Sequence, residues 1–195
     1  MKNETDVDAK QPLNLRRPFI GLYPSCSGII VTKNDKFDVN LMPVGLVGSP
    51  SLSPPMISIS VYKKHYTYSL LKKYKEFTFN LINKALIKQT IYLGAVSGRK
   101  TDKLKESGLH VVKAEKINTP YIKECPINLE CRVIKEIDFE KYGFFIGEIV
   151  YSHITKRFVD KTKKYGLDLK RMGPVAALFL DFYEVRNYLG SYKAN

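Results

Sequence analysis

Two long runs in the second half of the chain, INLECRVIKEI at 127–137 and GFFIGEIVYSHI at 143–154, constrain the fold more than any other feature. Both are rich in β-branched and aromatic residues. The few residues between them, with the bend near Asp138–Tyr142, leave room only for a tight reversal, so the pair reads as a long β-hairpin. GIIVTK at 28–33 and FDVNLM at 37–42 repeat that arrangement around the turn NDK at 34–36. MISISVY at 56–62 alternates apolar and hydroxyl residues with period two, EFTFNLI at 76–82 does the same, and LHVV and VAALFLDF (175–182) add further strand-like runs. Regular βαβ alternation is missing. This speaks against a doubly wound parallel sheet and favours an antiparallel barrel or sandwich with appended helices.

The helical signals are short. YSLLKKY at 68–74 follows Thr67, read as an N-cap; a weaker stretch covers 84–92; and TDKLKES at 101–107 has Thr101 as its cap and Gly108 as its stop. PVGLVGSPSLSPP at 43–55 carries too many prolines for an inner strand or a helix and reads as a long shaped loop. Residues 1–18, polar and interrupted by Pro12 and Pro18, read as a tail, with one domain over 19–195.

Composition narrows the class further. Lys and Arg total 32 against 19 Asp and Glu, a net charge of +13 that attracts phosphates, anionic cofactors, nucleic acid or an acidic partner. Cys26, Cys125 and Cys131 are too few and too scattered for a disulfide framework, so a reducing cytoplasm is expected, with Cys125 and Cys131 as buried structural thiols. The start MKNETDVDAKQ has no export pattern, and the longest apolar stretches, such as PVAALFL at 174–180, fall far below the ~20 residues of a membrane span. A soluble protein is expected.

Common catalytic signatures are absent: no GxGxxG after a first strand, no GxxxxGK[ST], no HExxH, no GxSxG and no CxxC. His65, His110 and His153 lie far apart without ligand spacing, so no metal site is expected, and no catalytic residue is assigned. His153 reads as a satisfied histidine at a strand end. The chemistry then falls to three loops, read as surface loops. SVYKKHYT at 60–67 leads into a helix whose free N–H groups favour an anion, and AVSGRKTDK at 95–103 places Arg99, Lys100 and Lys103 near another helix start. NLMPVGLVGSPS at 40–51 combines Gly and Pro rigidity with apolar Met42, Val44 and Leu46, a wall suited to a flat aromatic ligand.

Three ordered segments carry a family resemblance over about 37–155. They are NLMPVG with PPMISISVYKKHYTYSLLKKYKEFTFNLI, then SGRKTDKLKESGLHVVKAEKINTPYIKECPINLECRV, then FFIGEIVYSHI. Together they resemble the flavin reductase-like split barrels that bind flavin mononucleotide (FMN), and within them the flavoredoxin type. The resemblance implies a mainly β fold, a six-stranded antiparallel split β-barrel with short appended helices, in a homodimer with the flavin near the interface. It implies Asn40, Leu41, Met42, Pro43 and Val44 along the flavin ring, largely through backbone groups. Lys63, Lys64, Tyr66 and Thr67, and from the third loop Ser97, Gly98, Arg99 and Lys103, fall to the ribityl phosphate. Pro43 and Leu46 depart from the family, where a small hydroxyl residue and a Trp are common.

Three functions follow in order. The first is an FMN-binding oxidoreductase taking hydride from NAD(P)H. The second is a flavoredoxin-like carrier that exchanges electrons with a redox partner protein and does not use nicotinamide. The third is a nucleic-acid binder, which +13 would suit but which lacks a basic helix or an RNA-binding motif.

Overall fold

The computed structural model describes residues 22, 24–163, 166–178 and 180–190; the expected tail at 1–18 lies outside them. In chain order the strands are β1 (Ser25–Cys26), β2 (Gly28–Asn34), β3 (Asp38–Val44), β4 (Val47–Leu52), β5 (Pro55–Tyr62), β6 (Glu76–Leu81), β7 (Val111–Val112), β8 (Tyr121–Ile122), β9 (Ile127–Asp138), β10 (Tyr142–Ile154), β11 (Val175–Leu178) and β12 (Asp181–Glu184). The α-helices are α1 (Tyr66–Tyr74), α2 (Ile87–Ala95), α3 (Lys103–Ser107) and α4 (Leu169–Met172).

Both expected hairpins are present. β2 pairs with β3 from Gly28↔Val44 to Asn34↔Asp38, and β9 pairs with β10 from Gly143↔Asp138 to Ile154↔Ile127 with two register shifts. Seven strands form one antiparallel sheet in the order β3-β2-β6-β9-β10-β5-β4. Its two outermost strands, β3 and β4, are separated in the chain by Gly45 and Leu46 alone, so the sheet closes on itself as a barrel. At that corner the Ser60 N–H donates to the Leu46 carbonyl (3.0 Å). The expected six strands thus become seven because the segment 38–52 bends to leave one edge and join the other.

The same bend corrects the reading of 43–55 as a loop. Val47–Leu52 is a strand, paired among the described residues on one side only, to β5; its register slips between Gly48 and Ser51, which accommodates Pro50 without breaking an inner ladder. VAALFLDF is likewise two strands rather than one: β11 and β12 reverse on each other and join β1 in a separate three-stranded sheet. Neither expected threonine cap is used. His65 stands at the N-cap of α1 with no side-chain bond, placing Thr67 inside the first turn, and Asp102 caps α3 by accepting the Lys105 N–H. Gly108 ends α3 with φ 67°, as expected.

Two cores share the sheet. Ile30, Met42, Ile59, Phe77, Phe79 and Phe145 fill the barrel, while Ile29, Val31, Leu41, Leu86 and Leu93 pack between the outside of β2–β3 and α2. Successive strand residues face opposite sides, so β2 buries Ile30 inward and Ile29 and Val31 outward. Cys125 and Cys131 are buried free thiols as expected, but one in each core, and burial pushes both thiols up. No helix among the described residues is long and apolar enough to cross a membrane.

Candidate binding site

β3 supplies the floor of the site. Period-two alternation turns Leu41 outward into the second core and brings Asn40 and Met42 together on the opposite face. The wall comes from α1, which starts directly after the turn that ends β5. Asn40 Nδ2 donates to Thr67 Oγ1 (2.9 Å), fixing the first turn of α1 to the floor. No acidic residue stands in that turn, so its free N–H groups and dipole favour an anion.

The roof is the connection from α2 to α3. The Lys100 and Thr101 N–H groups both donate to the Ser97 carbonyl (3.0 Å each), curling the loop over Asn40. A Cβ at Gly98 would lie 1.9 Å from Asn40 Oδ1, so only glycine permits this approach. α3 then opens with Lys103, which is 5% exposed; its Nζ donates to the Leu93 carbonyl (2.7 Å) at the end of α2. Burial brings the Lys103 amine down to about 8.

Two adjoining cavities result. The smaller, about 180 Å³, is lined by Asn40, Met42, Lys64, His65, Tyr66, Thr67, Leu93, Gly94, Val96, Ser97, Gly98 and Lys103. The larger, about 280 Å³, is lined by Met42, Val44, Gly45, Leu46, Ser60, Val61, Tyr62, His65 and Tyr142. Met42 and His65 belong to both. Among the described residues neither is lined by an acidic side chain, whereas Lys64, His65 and Lys103 line the smaller.

All three loops singled out in the sequence therefore meet here. Asn40, Met42, Lys64, Tyr66, Thr67, Ser97, Gly98 and Lys103 line the smaller cavity, and Val44 the larger. Four others do not. Leu41 belongs to the second core, and Pro43 faces Gly94 on the outside of β3. Lys63 turns away to pair with Asp138 (3.2 Å), and the Arg99 guanidinium lies 4.7 Å from the centre of the Tyr66 ring, covering it from outside.

The expectation that Thr67 and Lys103 lie on surface loops is corrected: they are 2% and 5% exposed, because α2 and α3 fold back across β3. His65, Tyr62 and Tyr142 were not assigned from sequence. The first two sit within the quoted 60–67 segment, but Tyr142 reaches the site only through its pairing with Tyr62 across β5–β10, for which no local signal exists.

His153 lies elsewhere. Its Nε2 bonds Glu130 Oε1 (2.6 Å), and its ring stacks on Tyr121 at 4.2 Å. Glu130 also accepts the Glu115 and Lys116 N–H groups; burial alone would raise its carboxyl, but these bonds and His153 outweigh it and hold the group below the usual range. Ten residues of β10 lie between Tyr142 and His153, so eleven steps along the strand separate them, a path of about 36 Å. Among the described residues there is no group of three or more His, Cys, Asp or Glu placed to hold a metal.

A closed antiparallel barrel, helices folded over one edge and a cavity lined among the described residues by lysines and no acid define a split-barrel protein. The family model for the flavin reductase like domain matches residues 20–166, and the chain belongs to that family. The structure superposes on flavoredoxin from Methanosarcina acetivorans with a TM-score of 0.82 and 31% identity, over 94% of this chain and 95% of that one. Flavoredoxin of Desulfovibrio vulgaris (Miyazaki F) gives a TM-score of 0.82 at 27% identity, over 94% and 97%. An uncharacterized protein of Archaeoglobus fulgidus is 34% identical over 149 residues, 76% of this chain and 82% of its own length.

Proposed function

We propose that this chain is an FMN-binding oxidoreductase that holds the flavin phosphate in the smaller cavity and the ring toward the larger. One observation carries the reading: Lys103, 5% exposed, has a backbone carbonyl as its hydrogen-bond partner and no carboxylate among the described residues. A buried lysine without a counter-ion is costly, and an anion entering this cavity supplies the missing charge. A phosphate of about −1.5 to −2 charge fits a donor set of Lys103, Lys64, Thr67 Oγ1 and Ser97 beside the N–H groups of α1. Of the residues assigned from the family, Lys63 would first have to leave Asp138, and Arg99 acts by holding Tyr66 in place.

Bound flavin supplies the electron-accepting and electron-donating chemistry. The chain's part is to bind and orient: Asn40 and Thr67 brace the floor, Met42 lines both cavities, and Val44, Leu46, Tyr62 and Tyr142 wall the larger one. That second space suits another flat molecule, and NAD(P)H is the reductant in this reading. The flavoredoxins favour a second reading, in which a redox partner protein replaces nicotinamide. In both readings two chains pair and cover exposed Leu46 and Tyr142 (49% and 39%), in a cytoplasmic compartment that suits the free thiols.

FMN and riboflavin titrations test the assignment, with FMN the tighter ligand; equal affinities would refute it. Anaerobic mixing with FMN and either reduced nicotinamide then separates the readings. Bleaching of the flavin over many turnovers marks the reductase, and flavin that stays oxidised marks the carrier.

A further inference from the structure

His65 is placed where the two cavities meet, and its imidazole has no hydrogen bond among the described residues. Its backbone is fully engaged: the N–H donates to the Tyr62 carbonyl (2.9 Å) and its carbonyl accepts the Tyr68 N–H (3.2 Å). The ring is held edge-on to Tyr62, with centroids 5.6 Å apart. Among the described residues the titratable groups around it are Tyr62 from β5, Lys64 from its own turn, Tyr66 from α1, Lys103 from α3 and Tyr142 from β10. None is an acid. The ligand-free site therefore opposes a charge on His65, and burial together with the charge of Lys103 holds it below the usual histidine range. A dianion in the smaller cavity reverses that balance.

We propose that His65 is a proton-coupled contact for the anionic end of the flavin: neutral in the free protein at pH 7, it takes up one proton as the phosphate enters and joins Lys64 and Lys103 as a third cation. The proton comes from solvent. The inference rests on the reading of this cavity as the FMN phosphate site, and it makes affinity increase as pH falls from 8 toward 6.5. The slope is about threefold to tenfold per pH unit, the linkage expected for half to one proton bound. Below about pH 6 the FMN phosphate itself takes up a proton and the gain ends.

At pH 7 the competing groups are nearly silent. Lys103, at about 8, is already protonated to within about 0.1 proton, and the FMN phosphate is deprotonated to a similar degree. Calorimetric titration at pH 7, in two buffers of different ionisation enthalpy, counts the protons directly. FMN binding should take up about half a proton or more, riboflavin binding close to none, and the H65Q variant close to none with either flavin. H65R, with a permanent charge, should restore FMN affinity without proton uptake, a result that a purely structural role would not produce. FMN binding with less than about 0.2 proton taken up, or uptake that persists in H65Q, would overturn the inference and leave the FMN site standing. Failure of both flavins to bind would overturn both.

Discussion

Replacing Lys103 by Met keeps the length of the buried side chain and deletes its charge, and the structure predicts opposite effects on affinity and on stability. A hydrogen bond to a charged partner contributes about 1.5–3 kcal/mol, so FMN should bind roughly 10- to 150-fold more weakly while riboflavin changes little. In the free protein the amine sits at about 8 instead of the ordinary 10.5, a disfavoured charge equivalent to about 3 kcal/mol at pH 7. Removing it relieves that cost but leaves the Leu93 carbonyl without its 2.7 Å donor, a loss of about 1–3 kcal/mol. Flavin-free K103M should therefore be as stable as the parent, or up to about 2 kcal/mol more stable. The sign also follows from pH. Between about 8 and 10.5 the unfolded chain binds the proton that the folded chain has released, so this residue makes the parent's stability rise through that window. K103M lacks that rise. Flavin fluorescence titration and chemical unfolding of the flavin-free proteins at pH 7.5 and 9.5 measure all three quantities. Equal losses of FMN and riboflavin affinity, or destabilisation of K103M by more than about 3 kcal/mol, would show that Lys103 is structural and not an anion contact.

The remaining predictions concern the supports of the site. Gly98→Ala forces a Cβ against Asn40 Oδ1 and should lift the roof, costing about 1–3 kcal/mol and weakening FMN; unchanged melting and affinity would contradict the close approach. Thr67→Ala removes the buried bond from Asn40 and should lower stability by about 1–2 kcal/mol besides weakening FMN, whereas an exposed threonine would show the second effect alone. Glu130→Gln should cost about 1–3 kcal/mol at pH 7 and leave flavin affinity intact. Because the folded carboxyl is held low, its stabilising effect is present above the ordinary carboxylate range and lost as pH falls through the folded value. Acid unfolding should therefore be shallower in E130Q, and an identical acid limb in both proteins would argue against the assignment.

Some of the lysines of this basic chain are engaged with acids and are not directed at the site. Lys63, Lys72, Lys73, Lys75 and Lys84 pair with Asp138, Glu136, Asp35 and Glu184 at the surface, where such pairs contribute little. A count of lysines could not have distinguished these from Lys64 and Lys103.

Sequence alone determined strands β2, β3, β5, β6, β9 and β10, the β2–β3 and β9–β10 hairpins and the segments that line the cavities, because alternation, turn residues and helix stops act over a few neighbouring residues. Leu41 beside Met42 shows where that stops: period two says they face opposite ways, but not which faces the cavities. Closure of the barrel through Gly45–Leu46 depends on β3 and β4 finding different neighbours, and prolines made that segment look like a loop. Lys63 and Lys64 are adjacent and chemically alike, yet one meets Asp138 and the other lines the cavity, since the turn sends their side chains apart. The burial of Thr67 and Lys103 was decided by α2 and α3 lying across β3, and the place of Tyr142 by its register with Tyr62. Burial, register and charge pairing join residues distant in the chain, so only the tertiary structure could set them.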